Sequence, residues 1–118
     1  MKKTFFLILF ILLPGACLSD IKNSPLTEEE EKLLGVWSKP TTWCTYTWDF
    51  QDDRRAYWNR SQHPIYGSAS AVHIWQANGT TLTLYEPEGL VAVKEETYPY
   101  TFPDNTTLLL NTSRYEKQ

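Results

Sequence analysis

From residue 35 onward the chain reads in twos. Cys44, Tyr46, Trp48 and Phe50 fall on one face of an extended segment, and Thr45, Thr47, Asp49 and Gln51 on the other. That is the period of a half-buried strand. The same logic predicts a strand over Val36–Lys39, ended by Pro40, and a tight turn at Asp52-Asp53. Arg54–Arg60 then returns antiparallel, with Arg54-Arg55 at a solvated hairpin tip. Ser61–Ser70, with its Pro, Gly and serines, is the longest loop. Ala71–Gln76 is a strand, Asn78-Gly79 is a strong hairpin turn, and Thr80–Tyr85 follows with Leu82 and Leu84 on one face. Pro87-Glu88-Gly89 turns again. Leu90–Phe102 is one long strand or two, with Pro99 marking an edge or a bulge. Pro103-Asp104-Asn105 turns into a last strand from Thr106 to about Tyr115.

Before this run, Pro25–Leu34 reads as a short helix. Thr27 with Glu30 three residues on forms a capping box, Glu28–Glu31 suit a helix N-terminus, and Gly35 stops it. So short a helix does not hold itself together in water and must pack on the strands. The predicted fold class is all-β: a small antiparallel up-and-down β-barrel of seven or eight strands with a short N-terminal helix. Closing the meander removes two adhesive edges. Trp37 is expected to pack across the barrel floor under Leu33-Leu34.

The pattern breaks at the start of the chain. Lys2-Lys3, the apolar run Phe5–Leu13 and the small residues Pro14-Gly15-Ala16 have the three parts of an export signal. Such a run spans about 14 Å as a helix, half a bilayer core or less. Residues 1–16 are therefore read as a cleaved signal peptide, 17–26 as a tether and 27–118 as the barrel domain. Without Lys2 and Lys3 the 11 basic residues fall to 9 against 14 acidic ones, a net charge of −5. That balance argues against nucleic acid as a partner. Four Asn-x-Ser/Thr triplets, at Asn59, Asn78, Asn105 and Asn111, are read as a Thr/Asn-rich β surface in preference to glycan acceptors.

The cysteines are Cys17 and Cys44. Leu13-Pro14-Gly15-Ala16-Cys17 resembles the lipobox of bacterial lipoproteins, with Leu one place further from the cysteine than the family favours. The resemblance implies that Cys17 is lipidated, that the protein is exported to a bacterial cell envelope, and that a lipid anchors it to the membrane on the periplasmic or surface side. The other reading is an ordinary cut after Ala16 or Ser19, with Cys17 incidental; where Cys17 stays in the chain unmodified, a Cys17–Cys44 bridge is open to form in an oxidising compartment. Cys44 itself is expected as a small core residue.

Several stretches together resemble small bacterial lipocalin-like proteins. They are Gly35-Val36-Trp37 after a helix, Thr45–Phe50, the Trp75–Leu84 hairpin, and Tyr98–Phe102 followed by Asp104–Leu108. The likeness covers residues 27 to 115. The Asp52-Asp53 turn departs from the family's usual Asp-Gly type, and so does the Ser/Pro-rich loop 61–70. The resemblance implies an up-and-down barrel and a small hydrophobic ligand in its cup. Tyr46, Trp48, Phe50, Trp58 and Trp75 are the candidate ligand-binding residues; the alternative is that these rings simply fill the interior. Neither His63 nor His73 has metal-finger spacing with a cysteine, so no metal site and no cofactor are expected. Asp49, Glu86 and Glu95-Glu96 are read as outward faces and turns, no catalytic motif is present, and no enzyme is expected. An alternative function is a packed barrel that acts through its loops on a basic protein partner. Tyr66–Ala71 resembles the Ser/Gly-rich loop that small barrel lipoproteins insert into lysozyme.

Overall fold

The structure, a computed structural model, describes residues 18–88 and 91–118. The expected signal peptide, Cys17 and the Gly89 turn lie outside the described residues. Two short helices, α1 (Leu18–Asn23) and α2 (Glu28–Glu31), precede eight strands. These are β1 (Gly35–Pro40), β2 (Thr45–Phe50), β3 (Arg55–Arg60), β4 (Ala69–Ala77), β5 (Thr81–Glu88), β6 (Val91–Asp104), β7 (Thr107–Leu110) and β8 (Ser113–Lys117). Each strand pairs antiparallel with the next, and β8 returns to β1 through Trp37↔Lys117 and Ser38↔Glu116, so the barrel is closed.

Register carries the two-residue alternation around the wall. Trp37 pairs with Trp48, Trp48 with Trp58, and Trp58 with Ala71, so one parity faces inward on four successive strands. Trp37, Trp48, Phe50, Trp75, Leu82 and Leu108 from that parity are all buried in one cluster. Phe50 stacks on Trp48 at 5.7 Å and meets Trp75 edge-on at 5.3 Å, geometries that add to simple area burial.

The helix α2 closes one end. Its capping box is complete: the Glu30 backbone N–H donates to Thr27 Oγ1 at 3.2 Å, and the Thr27 N–H to Glu30 Oε1 at 2.9 Å. Under the helix, the Trp37 ring N–H donates to the Leu33 carbonyl at 2.9 Å, and Lys117 Nζ lies 4.6 Å above the Trp37 ring. Trp37 thus sits across the floor as its position predicts.

Three expectations are corrected, and the segment read as a tether gains a helix. The last stretch is two strands, because Asn111 takes a left-handed φ of 57° and turns the chain between β7 and β8. The strand β5 continues through Pro87 to Glu88 with a register shift at Glu86/Pro87. The polar segment expected as a tether is helical over Leu18–Asn23. Leu18 and Ile21 are buried against Ile74 and Tyr85 on the outside of the wall. Finally, Arg54 is not solvated. It is 2% exposed, adopts φ 72°, and pairs with Glu30, itself 1% exposed.

Candidate functional site

The barrel has two ends of different character. The α2 end is packed solid. Inward-facing residues of β2–β6 line a cup of about 310 Å³: Trp48, Trp58, Ala71, His73, Leu84, Glu96 and Tyr98. A volume of this size is at the lower bound of small-molecule sites. Register explains the lining. His73 pairs with Ala56, and Leu84 with Glu96, and all four belong to the inward parity.

The candidate aromatics divide between floor and cup. Trp48 and Trp58 line the cup, while Phe50 and Trp75 are packed beneath it. Tyr46 leans on Trp58 at 6.3 Å, with Lys39 Nζ 5.3 Å from its ring. Phe50 and Trp75 thus fill the interior, while Trp48 and Trp58 border open space.

Three polar side chains in the cup were not among the expected site residues. Glu96 accepts the Tyr98 hydroxyl on Oε2, and Lys94 Nζ lies 2.9 Å from Oε1. The Tyr98 hydroxyl first and the Lys94 ammonium second hold the Glu96 carboxyl below its usual range. The same bond, with burial behind it, pushes the Tyr98 hydroxyl up to about 12. His73 packs against Trp48 at 5.8 Å, and its Nδ1 is sealed from solvent with no hydrogen-bond partner. Burial lowers its imidazole, against the pull of Glu96 and Glu86. Glu96 thus faces the cup and corrects the expectation of an outward strand face. Its signal in the sequence was parity: Glu96, Tyr98, Tyr100 and Phe102 are spaced by two. The charge on Glu96 and the proline at 99 obscured it.

The loop between β3 and β4 stands at the mouth and is internally braced. His63 Nδ1 accepts the N–H groups of Ile65 and Tyr66 at 3.0 and 3.2 Å, and the Arg60 guanidinium donates to the carbonyls of Tyr66 and Gly67, each at 3.1 Å. Ile65 is 80%, Tyr66 67% and nearby Trp43 63% exposed. On the outer wall a groove of about 450 Å³ runs between α1 and the strands, lined by Leu18, Lys22, Arg55 and Tyr57 among others. It is larger than the cup, and its lining Arg55 is already paired with Asp53 at 3.6 Å.

Cys44 is buried, and the Thr41 hydroxyl donates to its carbonyl at 2.8 Å. Among the described residues no group of three His, Cys, Asp or Glu side chains is placed to hold a metal ion. No protein-family model, no curated protein and no solved structure matches the chain.

Proposed function

We propose that the protein is an exported, non-enzymatic lipocalin-like lipoprotein that takes a small, largely apolar ligand into the cup of its barrel. One observation carries this: the interior is solid at the α2 end yet opens into an aromatic-walled cup of about 310 Å³ at the other. A barrel of this size has width for either packed side chains or one small ligand. Binding suits the cup better than catalysis. His73 has no orienting partner on its sealed nitrogen, and a general base is ordinarily held by one. Tyr98 is committed to Glu96 and is a poor acid at neutral pH. Cys17 would carry the anchor, and the mass of the mature protein tests that separately.

The binding test is a titration with an uncharged fluorescent apolar probe, N-phenyl-1-naphthylamine, followed by native mass spectrometry of the purified protein. Saturable probe emission that falls in Trp58→Ala is expected. A flat titration together with a ligand-free mass would end the proposal.

A second reading has an observation of its own. Trp43, Ile65 and Tyr66 are large, exposed and near one another at the mouth, and clustered exposed apolar side chains mark interaction sites. In this reading the loop engages a basic protein such as lysozyme. Undiminished lysozyme activity in the presence of excess protein would remove it.

A further inference from the structure

We infer that the cup selects a flat apolar ligand bearing an uncharged hydroxyl over one bearing a carboxylate, with His73 and Glu96 reading that hydroxyl. This selectivity rests on the cup's being the binding site proposed above.

The argument begins with the two nitrogens of His73. Nδ1 is sealed and unpartnered; among the described residues Nε2 has no hydrogen-bond partner, and it is not sealed. A buried N–H without an acceptor costs more than a buried lone pair. The proton of the neutral ring is therefore assigned to Nε2 from the hydrogen-bond pattern. Charging the ring would place a second N–H on the dry side, which agrees with its lowered basicity. The His73 wall consequently offers the cup one N–H donor and no charge at neutral pH.

The facing strand offers the opposite. Glu96 is a carboxylate with one bond from Tyr98 and one from Lys94. A carboxylate has about four acceptor sites, so it retains capacity for a further donor. Glu86 also acts on His73 through space. The side chains that act on His73 through space are two carboxylic acids, Glu96 and Glu86, and one amine, Lys94.

A hydroxyl both donates and accepts. It can take the His73 N–H and give its own proton to Glu96, while an apolar body lies along Trp48, Trp58 and Leu84. A carboxylate would satisfy His73 but meet Glu96 as a like charge. A plain hydrocarbon would cover the His73 N–H and leave it unpaired. An ammonium would satisfy Glu96 but turn donors toward a donor.

Three compounds on one skeleton separate these cases: 2-naphthol, 2-methylnaphthalene and 2-naphthoate, each displacing N-phenyl-1-naphthylamine from the full mature protein at neutral pH. The naphthol is expected to displace at about tenfold lower concentration than the hydrocarbon, the gain of one well-made bond to a charged partner. The naphthoate is expected to be weakest. His73→Phe should erase the naphthol advantage, and Glu96→Gln should raise naphthoate binding toward that of the naphthol. Naphthoate matching or surpassing the naphthol, or an undiminished naphthol advantage in His73→Phe, would overturn the inference. Equal displacement by all three would overturn the selectivity and leave the cup standing. No probe binding at all would remove the cup itself. The ranking on the unsubstituted protein decides the matter even where a variant fails to fold.

Discussion

Glu30 and Arg54 meet beneath the barrel as a two-pronged ion pair. Arg54 Nη2 lies 2.9 Å from Glu30 Oε1, and Nη1 donates to Oε2. Neither is left with an idle side. Glu30 also accepts the N–H of Ala77 at 2.9 Å and caps its own helix. Arg54 also donates to the carbonyl of Pro25 at 2.9 Å and lies over the Trp75 ring. One pair thus ties α2, the β2–β3 turn and the end of β4 together. Arg54 occupies the left-handed position at the end of a turn closed by its N–H to Gln51 O at 3.2 Å. Glycine is usual at such a place.

Breaking a buried pair from one side strands the other charge. Glu30→Ala and Arg54→Ala are each expected to lose about 3–5 kcal/mol in urea unfolding, a large part of a small domain's stability. Arg54→Gly removes the same pair but suits the backbone, so it should be about 1 kcal/mol less damaging than the alanine variant. A wild-type urea midpoint for Arg54→Ala would show that the pair carries no stability.

The same pair sets an acid limit. Burial acts to raise the Glu30 carboxyl, but Arg54 and the N–H groups of Thr27 and Ala77 prevail and hold it below its ordinary 4.5. A carboxyl depressed in the folded state stabilises the fold above its unfolded pKa. That stabilisation is lost as pH falls from about 4.5 through the lower folded value. Urea midpoints measured from pH 6 downward should therefore fall below pH 4.5. Glu30→Gln should start lower and lose part of this slope; an identical slope in Glu30→Gln would assign the acid limit to other groups.

Gly35 is tied to Lys117 in a different way. Its φ is 112°, and a methyl group there would come within 2.8 Å of Lys117 Nζ. Lys117 Nζ is the end of a flexible, exposed side chain and can move aside, giving up its bond to the Leu34 carbonyl and its place over Trp37. Gly35→Ala is expected to cost about 1–3 kcal/mol, chiefly through the backbone. Adding Lys117→Ala removes the collision but leaves the dihedral, so the double variant should recover only part of the loss. Full recovery in thermal melts would mean that the backbone strain is negligible.

Where local chemistry and the fold agree, the sequence is easy to read. The alternation from Tyr46 to Phe50, the Thr27–Glu30 capping box and the Asn78-Gly79 turn each have a local cause, and each occurs where its signal lies. Other features have causes far along the chain. Arg54 follows two aspartates that make it look solvated; its partner is 24 residues away. Leu18 and Ile21 are isolated apolar residues in a polar stretch, and only Ile74 and Tyr85 on the outer wall make them a helix face. Glu96 shares the parity of Tyr98 and Tyr100 and so faces inward, but its charge makes it read as an outward residue.

Asn111 illustrates a local signal hidden by its surroundings. In a run of Thr and Asn it reads as surface, yet its φ of 57° makes the turn that separates β7 from β8. Asparagine tolerates that conformation and alanine does not. Asn111→Ala should cost about 1 kcal/mol and Asn111→Gly little. Equal urea midpoints for the two variants would show that the left-handed turn does not matter to stability.

His73 gives the cup a pH signature independent of any ligand. Its imidazole is lowered below the ordinary 6.5, first by burial, with Glu96 and Glu86 opposing and Lys94 assisting. At high pH the ring is neutral in both folded and unfolded chains and contributes nothing. As pH falls through 6.5 the unfolded chain takes up a proton that the folded one refuses, so the fold loses stability until the lower folded pKa is reached. Urea midpoints should accordingly begin to drop as pH falls toward and below 6.5, above the region where Glu30 titrates. His73→Phe keeps a ring against Trp48 but has no proton to take up, so that drop should shrink. The only other histidine is His63, and His63→Ala serves as the control. If His63→Ala flattens the profile and His73→Phe does not, the sealed nitrogen in the cup is not what the fold senses.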